Sequence, residues 1–125
     1  MRVCVKPTQE LLDALAARSL ASVADFQPQV LASSLWALAT MAPLGIELPR
    51  AMINTLLSRA QDLAPSFAQQ DISNTLWAVA SMRVAVPPPV LAALMLRCMD
   101  IVDALSPQGL ANITWAIAVL RGSYP

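Results

Sequence analysis

Apolar and polar positions along the chain follow a helical period, and whole blocks of that pattern then recur. In residues 50–64, RAMINTLLSRAQDLA, the apolar side chains Met52, Ile53, Leu56, Leu57, Ala60, Leu63 and Ala64 have the spacing of one helix face. The spacing returns at Val90, Leu91, Leu94, Met95, Cys98, Ile101 and Val102. A second set of helices is predicted to begin near Pro28, Gln69 and Pro107 and to end after Met41, Met82 and Leu120. Ser106 before Pro107 has the form of an N-cap followed by proline at the first helical position. Pro7, Pro43, Pro49, Pro65, Pro87, Pro88 and Pro89 also fall at element boundaries, where a missing N–H does least harm. Alternation at period two is nowhere sustained, so no sheet is predicted.

The blocks align on Trp36, Trp77 and Trp115. SSLWALATM (33–41), NTLWAVASM (74–82) and NITWAIAVL (112–120) match in size and polarity at nearly every position. Upstream, Phe26, Phe67 and Leu105 share a register, as do Gln29, Gln70 and Gln108, then Leu15, Leu56 and Leu94, then Arg18, Arg59 and Arg97. The first copy differs by a short insertion in APLGIEL, which places a loop there. Three helix-turn-helix units follow, at 7–45, 46–86 and 87–121. An isolated pair cannot bury both its own apolar face and the one it offers a neighbour, so the expected fold is an all-α solenoid of stacked pairs, its hand left open. The tryptophans share a stripe with Leu31, Leu35 and Leu38, or with Ile72, Leu76 and Val79, and are expected to be core or inter-repeat packing residues. Ala37, Ala39, Ala78 and Ala80 would let helices approach closely.

Composition sharpens this picture. At 125 residues and 57% hydrophobic content the chain has the length of one domain and ample material for a core. Eight Lys plus Arg balance eight Asp plus Glu, so attraction to a polyanion would have to be local. The two cysteines, Cys4 and Cys98, lie far apart and histidine is absent, leaving neither a zinc site nor a disulfide framework to read; no metal or cofactor is expected. The uncharged run at 26–46 is interrupted by Gln27, Pro28, Gln29, Ser33, Ser34, Pro43 and Gly45, and no membrane span is expected. MRVCVKPTQE has the features of neither a secretory signal nor a transit peptide.

The segments QDISNTLWAVA and QGLANITWAIA, with QVLASSLWALA as the divergent copy, resemble the signature Q-x-L-x-N-x-x-W-A-x-A of the octotricopeptide repeat proteins. The resemblance covers about residues 7 to 121. It departs at Ser33, where the other copies have Asn74 and Asn112, and at Thr114, where leucine is expected. It implies an α-solenoid that binds single-stranded RNA in chloroplasts or mitochondria and acts in transcript processing, stability or translation. Larger relatives often append a nuclease-like RAP domain; here the chain ends at Tyr124 and Pro125 after the third repeat.

In a stacked array, equivalent side chains meet successive bases. Asp13, Asn54 and Ala92, with Ala14, Thr55 and Ala93 beside them, vary between copies as base readers must, and as an idle solvated surface does. Arg18, Arg59 and Arg97 would track a nucleic-acid backbone, or Arg59 and Arg97 would be neutralised by Asp62 and Asp100 one turn on. Arg83 and Arg121 are placed at helix C-termini, where a cation complements the helix dipole. Gln29, Gln70 and Gln108, with Ser33, Asn74 and Asn112 four residues on, form a uniform polar register that is expected to bond a neighbouring loop or backbone.

Without histidine, paired acids or a glycine-rich loop, no enzyme is predicted. The competing class is a protein-interaction scaffold, which balanced charge suits. Three base contacts at ~1–3 kcal/mol each barely offset an association cost of about 4–15 kcal/mol, which favours a longer or oligomeric array. The apolar ends, Leu11, Leu12 and Leu15 on one side and Trp115, Ile117 and Leu120 on the other, predict association.

Overall fold

The computed structural model describes residues 8–121. Cys4, Pro7, Tyr124 and Pro125 lie outside them. Six helices of equal length follow one another: α1 (Gln9–Ser22), α2 (Pro28–Met41), α3 (Arg50–Leu63), α4 (Gln69–Met82), α5 (Pro88–Ile101) and α6 (Pro107–Leu120), with no strand among the described residues. The protein is an all-α helical repeat array. The second helix of each pair has the ends that the proline and tryptophan register predicts.

Local chemistry sets those ends. Thr8 caps α1 by accepting from the Leu11 amide, and Ser106 caps α6 by accepting from the Gly109 amide, each satisfying a donor the first turn cannot. Ala68 has no side-chain acceptor, but Asp71 reaches back from the first turn of α4 to accept from the Ala68 amide. Pro28, Pro88 and Pro107 occupy first-turn positions, where proline costs no hydrogen bond.

The turn inside each pair is the same device built three times. A single 3₁₀ turn (Val23–Asp25, Ala64–Ser66, Val102–Ala104) ends the first helix, and Phe26, Phe67 or Leu105 follows in extended conformation, its amide bonded to the turn's first carbonyl. Phe67 is fully buried and pins the central turn to the core. The connections between pairs differ. The first leaves α2 through Ala42–Leu44 and Gly45 at φ 73°, and the second turns at Arg83, a non-glycine residue at φ 54°.

The helices form two rows. α2, α4 and α6 lie side by side and make the closest contacts of the array, while α1, α3 and α5 form a looser row behind them. Small residues permit that approach: Ala32 and Ala39 on α2, Ser73, Ala78 and Ala80 on α4, and Gly109 and Ala116 on α6 are buried. The core runs continuously through Leu31, Leu35, Leu38, Leu56, Leu57, Phe67, Ile72, Leu76, Val79 and Leu94.

Trp36 and Trp115 do not belong to this core, whereas Trp77 packs against it. Trp36 is 46% exposed, Trp115 is 44% exposed and Trp77 is half-buried, whereas Leu31, Leu35 and Leu38 are fully covered. Trp36 and Trp77 each lie one residue past a fully buried leucine, Leu35 or Leu76, about 100° further round the helix, which turns them toward the edge of the core. The inter-repeat part of the expectation holds for one pair: the rings of Trp36 and Trp77 meet across α2 and α4 with centroids 6.5 Å apart and planes tilted by 33°.

Candidate nucleic-acid interface

Two surfaces carry the polar residues singled out by the repeat register, one on each row of helices. On the α1, α3, α5 row, the arginines act as clamps between neighbouring pairs. Arg59 donates from Nη2 to the carbonyl of Ala24 in the preceding turn (3.1 Å), and Arg97 donates from Nε to the carbonyl of Phe67 (2.9 Å). Carbonyls at the end of a 3₁₀ turn lack a helical partner, and a guanidinium with several donors suits them. Arg59 and Arg97 are therefore each tied to a carbonyl rather than simply neutralised by a neighbouring acid. Arg59 does lie 4.0 Å from Asp62, but among the described residues Arg97 makes no ion pair with Asp100. Arg18, on the first helix, is exposed and makes no hydrogen bond or ion pair through its side chain among the described residues.

Asn54 and Thr55 come together with Arg59 in one open hollow of about 440 Å³ between α3 and the turn after α1, with Ser58, Asp62, Val23 and Ala24 around it. The Thr55 hydroxyl is already used, donating to the Ala51 carbonyl (2.8 Å). Asp13 is elsewhere: it accepts from Gln9 (3.0 Å), whose amide also donates to the Glu47 carbonyl. The matching hollow of the next pair, lined by Pro65, Ala93, Leu96, Arg97 and Asp100, has lost the amide and the hydroxyls. Asp13 lines a separate hollow with Gln9, Glu47, Leu48, Pro49 and Arg50.

The α2, α4, α6 row carries a different constellation. Gln70 donates to Asn74 (3.0 Å) and Gln108 donates to Asn112 (3.0 Å), each within its own helix and exposed. The predicted bond from this glutamine register to a neighbouring loop is not what forms, because residues four apart on a helix already face each other. The bond to a loop comes instead from Gln69, whose Oε1 accepts from the Ser106 amide (2.6 Å). Gly109 leaves room there: a Cβ on it would stand 3.3 Å from that oxygen, a tight contact. Gln29 of the first copy faces Ser33 and has no amide partner four residues on.

Trp36, Trp77 and Trp115 stand one turn further along the same stripes. α4 and α6 thus each carry glutamine, asparagine and tryptophan in line along one helix face. A Gln–Asn bond uses one amide N–H and one carbonyl, leaving the glutamine oxygen free to accept and the asparagine NH₂ free to donate. Beside them an indole offers a flat apolar face. The repeated tryptophan signals this row in the sequence, but the shared leucine stripe assigns it to the interior.

Burial pushes the Cys98 thiol up to about 11, so it stays protonated and unreactive near neutrality. Arg83 and Arg121 are the C-terminal caps of α4 and α6, and Arg121 donates to the Ala118 carbonyl (2.9 Å). Among the described residues no group of three or more histidine, cysteine, aspartate or glutamate side chains could hold a metal ion, and no helix is long and apolar enough to cross a membrane. Compared with models of known protein families, with curated proteins and with solved structures, the chain matches none.

Proposed function

We propose that the chain binds single-stranded RNA along the outer face of α2, α4 and α6. The observation that carries this reading is the row of tryptophans, Trp36 and Trp115 exposed and Trp77 half-buried, with Gln–Asn pairs in line beside Trp77 and Trp115 on α4 and α6. Aromatic faces accept unstacked bases, and free amide acceptors and donors match base edges. The resemblance of QDISNTLWAVA and QGLANITWAIA to the octotricopeptide repeat signature supports the same ligand, and on that resemblance alone rests a role in chloroplast or mitochondrial transcript processing, stability or translation.

Stacking rather than charge carries the affinity in this reading, since Arg59 and Arg97 are committed to carbonyls and net charge is zero. Selection from a random single-stranded RNA pool tests it. Enriched RNA is expected to quench tryptophan fluorescence, to bind with a shallow salt dependence, and to lose roughly 5- to 150-fold in affinity on Trp115→Ala, the equivalent of ~1–3 kcal/mol per stacked base. No enrichment at low salt would overturn RNA binding and leave the protein-scaffold reading, which the balanced charge favours.

A further inference from the structure

The two ends of the array expose the same faces by which its helix pairs join internally. Met52 and Leu56 on α3, and Val90 and Leu94 at the same register on α5, are buried against the preceding pair, whereas their equivalents on α1, Leu11 and Leu15, are 52% and 55% exposed. At the other end the relation is reversed. Leu31 and Leu38 on α2, and Ile72 and Val79 on α4, are covered by the following pair, while Leu110 and Ile117 on α6 are 44% and 36% exposed beside an open apolar groove of about 310 Å³.

We propose that a second copy of this chain docks head to tail, its α1–α2 face stacking on the α5–α6 face of the first. The joint would repeat an interface the chain already makes twice. The faces complement each other but not themselves, so the contact is heterologous and can add further copies. Charge supports the same pairing. Arg59 and Arg97 each clamp a carbonyl of the preceding turn, at Ala24 and Phe67, and the equivalents of those residues on the last turn are Asp103 and Leu105. Register sets Arg18 of a second copy over that turn, where the Asp103 carboxylate adds an opposite charge. Two copies would also carry one six-tryptophan row in place of three, although the inference does not depend on RNA binding.

Light scattering and sedimentation of the 125-residue chain across micromolar to submillimolar concentrations test this. The mean mass is expected to rise with concentration beyond a dimer. Leu15→Glu, which spoils one face, and Ile117→Glu, which spoils the other, should each be monomeric, and their equimolar mixture should form a one-to-one dimer and stop. Arg18→Ala should weaken association about tenfold, or ~1.4 kcal/mol. If either glutamate variant loses helical circular dichroism, Leu11→Lys and Leu110→Lys mark the same faces. A wild-type chain that stays monomeric at every concentration would overturn the proposal, as would either single-face variant that still self-associates, since that requires like faces to pair.

Discussion

Arg97 donates through Nε to the carbonyl of Phe67, 2.9 Å away and 30 residues earlier, so a single charged side chain ties the third helix pair to the turn of the second. Hydrogen bonds from charged donors contribute more than neutral ones, and removing this donor leaves a turn carbonyl without its partner. Arg97→Ala should lower stability by about 1.5–3 kcal/mol, read as a shift in the urea midpoint at constant slope. Arg18→Ala, measured dilute, should change it by no more than ~0.5 kcal/mol, because Arg18 has no such bond among the described residues. Equal losses at the two sites would remove the clamp from the account.

The helix ends were legible because proline and the tryptophan register mark them directly, at Pro28, Gln69 and Pro107 and at Met41, Met82 and Leu120. Partners set by stacking were not. The sequence places Arg59 three residues from Asp62, a local relation, but the Ala24 carbonyl comes within reach only once the second pair sits on the first. Periodicity likewise assigns Trp36 to a stripe with Leu35 and Leu38 without saying where that stripe's edge leaves the core. Uniformity misled in one case: the repeated Gln and Asn suggested a bond to a neighbouring loop or backbone, when their spacing lets them bond each other within one helix.

Trp36 and Trp77 touch across two helix pairs, and their contact can be isolated by a double-mutant cycle. Tilted aromatic pairs at this separation couple by ~0.5–1.5 kcal/mol beyond the area they bury. Trp36→Leu and Trp77→Leu, alone and together, should give a coupling in that range. Trp36→Leu with Trp115→Leu should be additive, because those residues sit on helices at opposite ends of the row.

The hydroxyl of Thr75 on α4 is fully buried and has no hydrogen-bond partner among the described residues. Its register equivalents show two ways out: Ser34 donates back to the Val30 carbonyl, and the third copy has Ile113. Thr75→Val removes the unsatisfied group at almost constant volume and should stabilise the fold by about 1 kcal/mol, raising the melting temperature by a few degrees. A loss of stability would mean that the hydroxyl has a partner the structure lacks.

Arg83 closes α4 in the left-handed region, at φ 54° and ψ 35°, a conformation that crowds any residue with a Cβ. Gly45 meets a positive φ in the preceding connection without that penalty. Arg83→Gly is expected to gain up to about 1 kcal/mol, the relief of strain outweighing the added freedom of the unfolded chain. Arg83→Ala, which keeps the Cβ, should gain nothing, and thermal melts of the two variants separate strain from loss of the guanidinium.

Cys98 gives the fold a pH dependence whose sign follows from its burial. The thiol is held up at about 11 in the folded chain, above its ordinary value, so between the two values the unfolded chain ionises while the folded one stays protonated. Its contribution is therefore intact below the ordinary thiol range and is lost as the pH rises toward 11. The urea midpoint of the wild-type chain should fall more between pH 8 and pH 10 than that of Cys98→Ala; the difference between the two chains isolates this group from every group they share. Reactivity provides a second reading on a Cys4→Ser background. Alkylation at pH 8 should be slower in the folded chain than in urea by on the order of a hundredfold, since the thiolate is the reacting form. Parallel midpoints in the two chains, with equal alkylation rates folded and unfolded, would show that Cys98 is solvated rather than held among apolar neighbours.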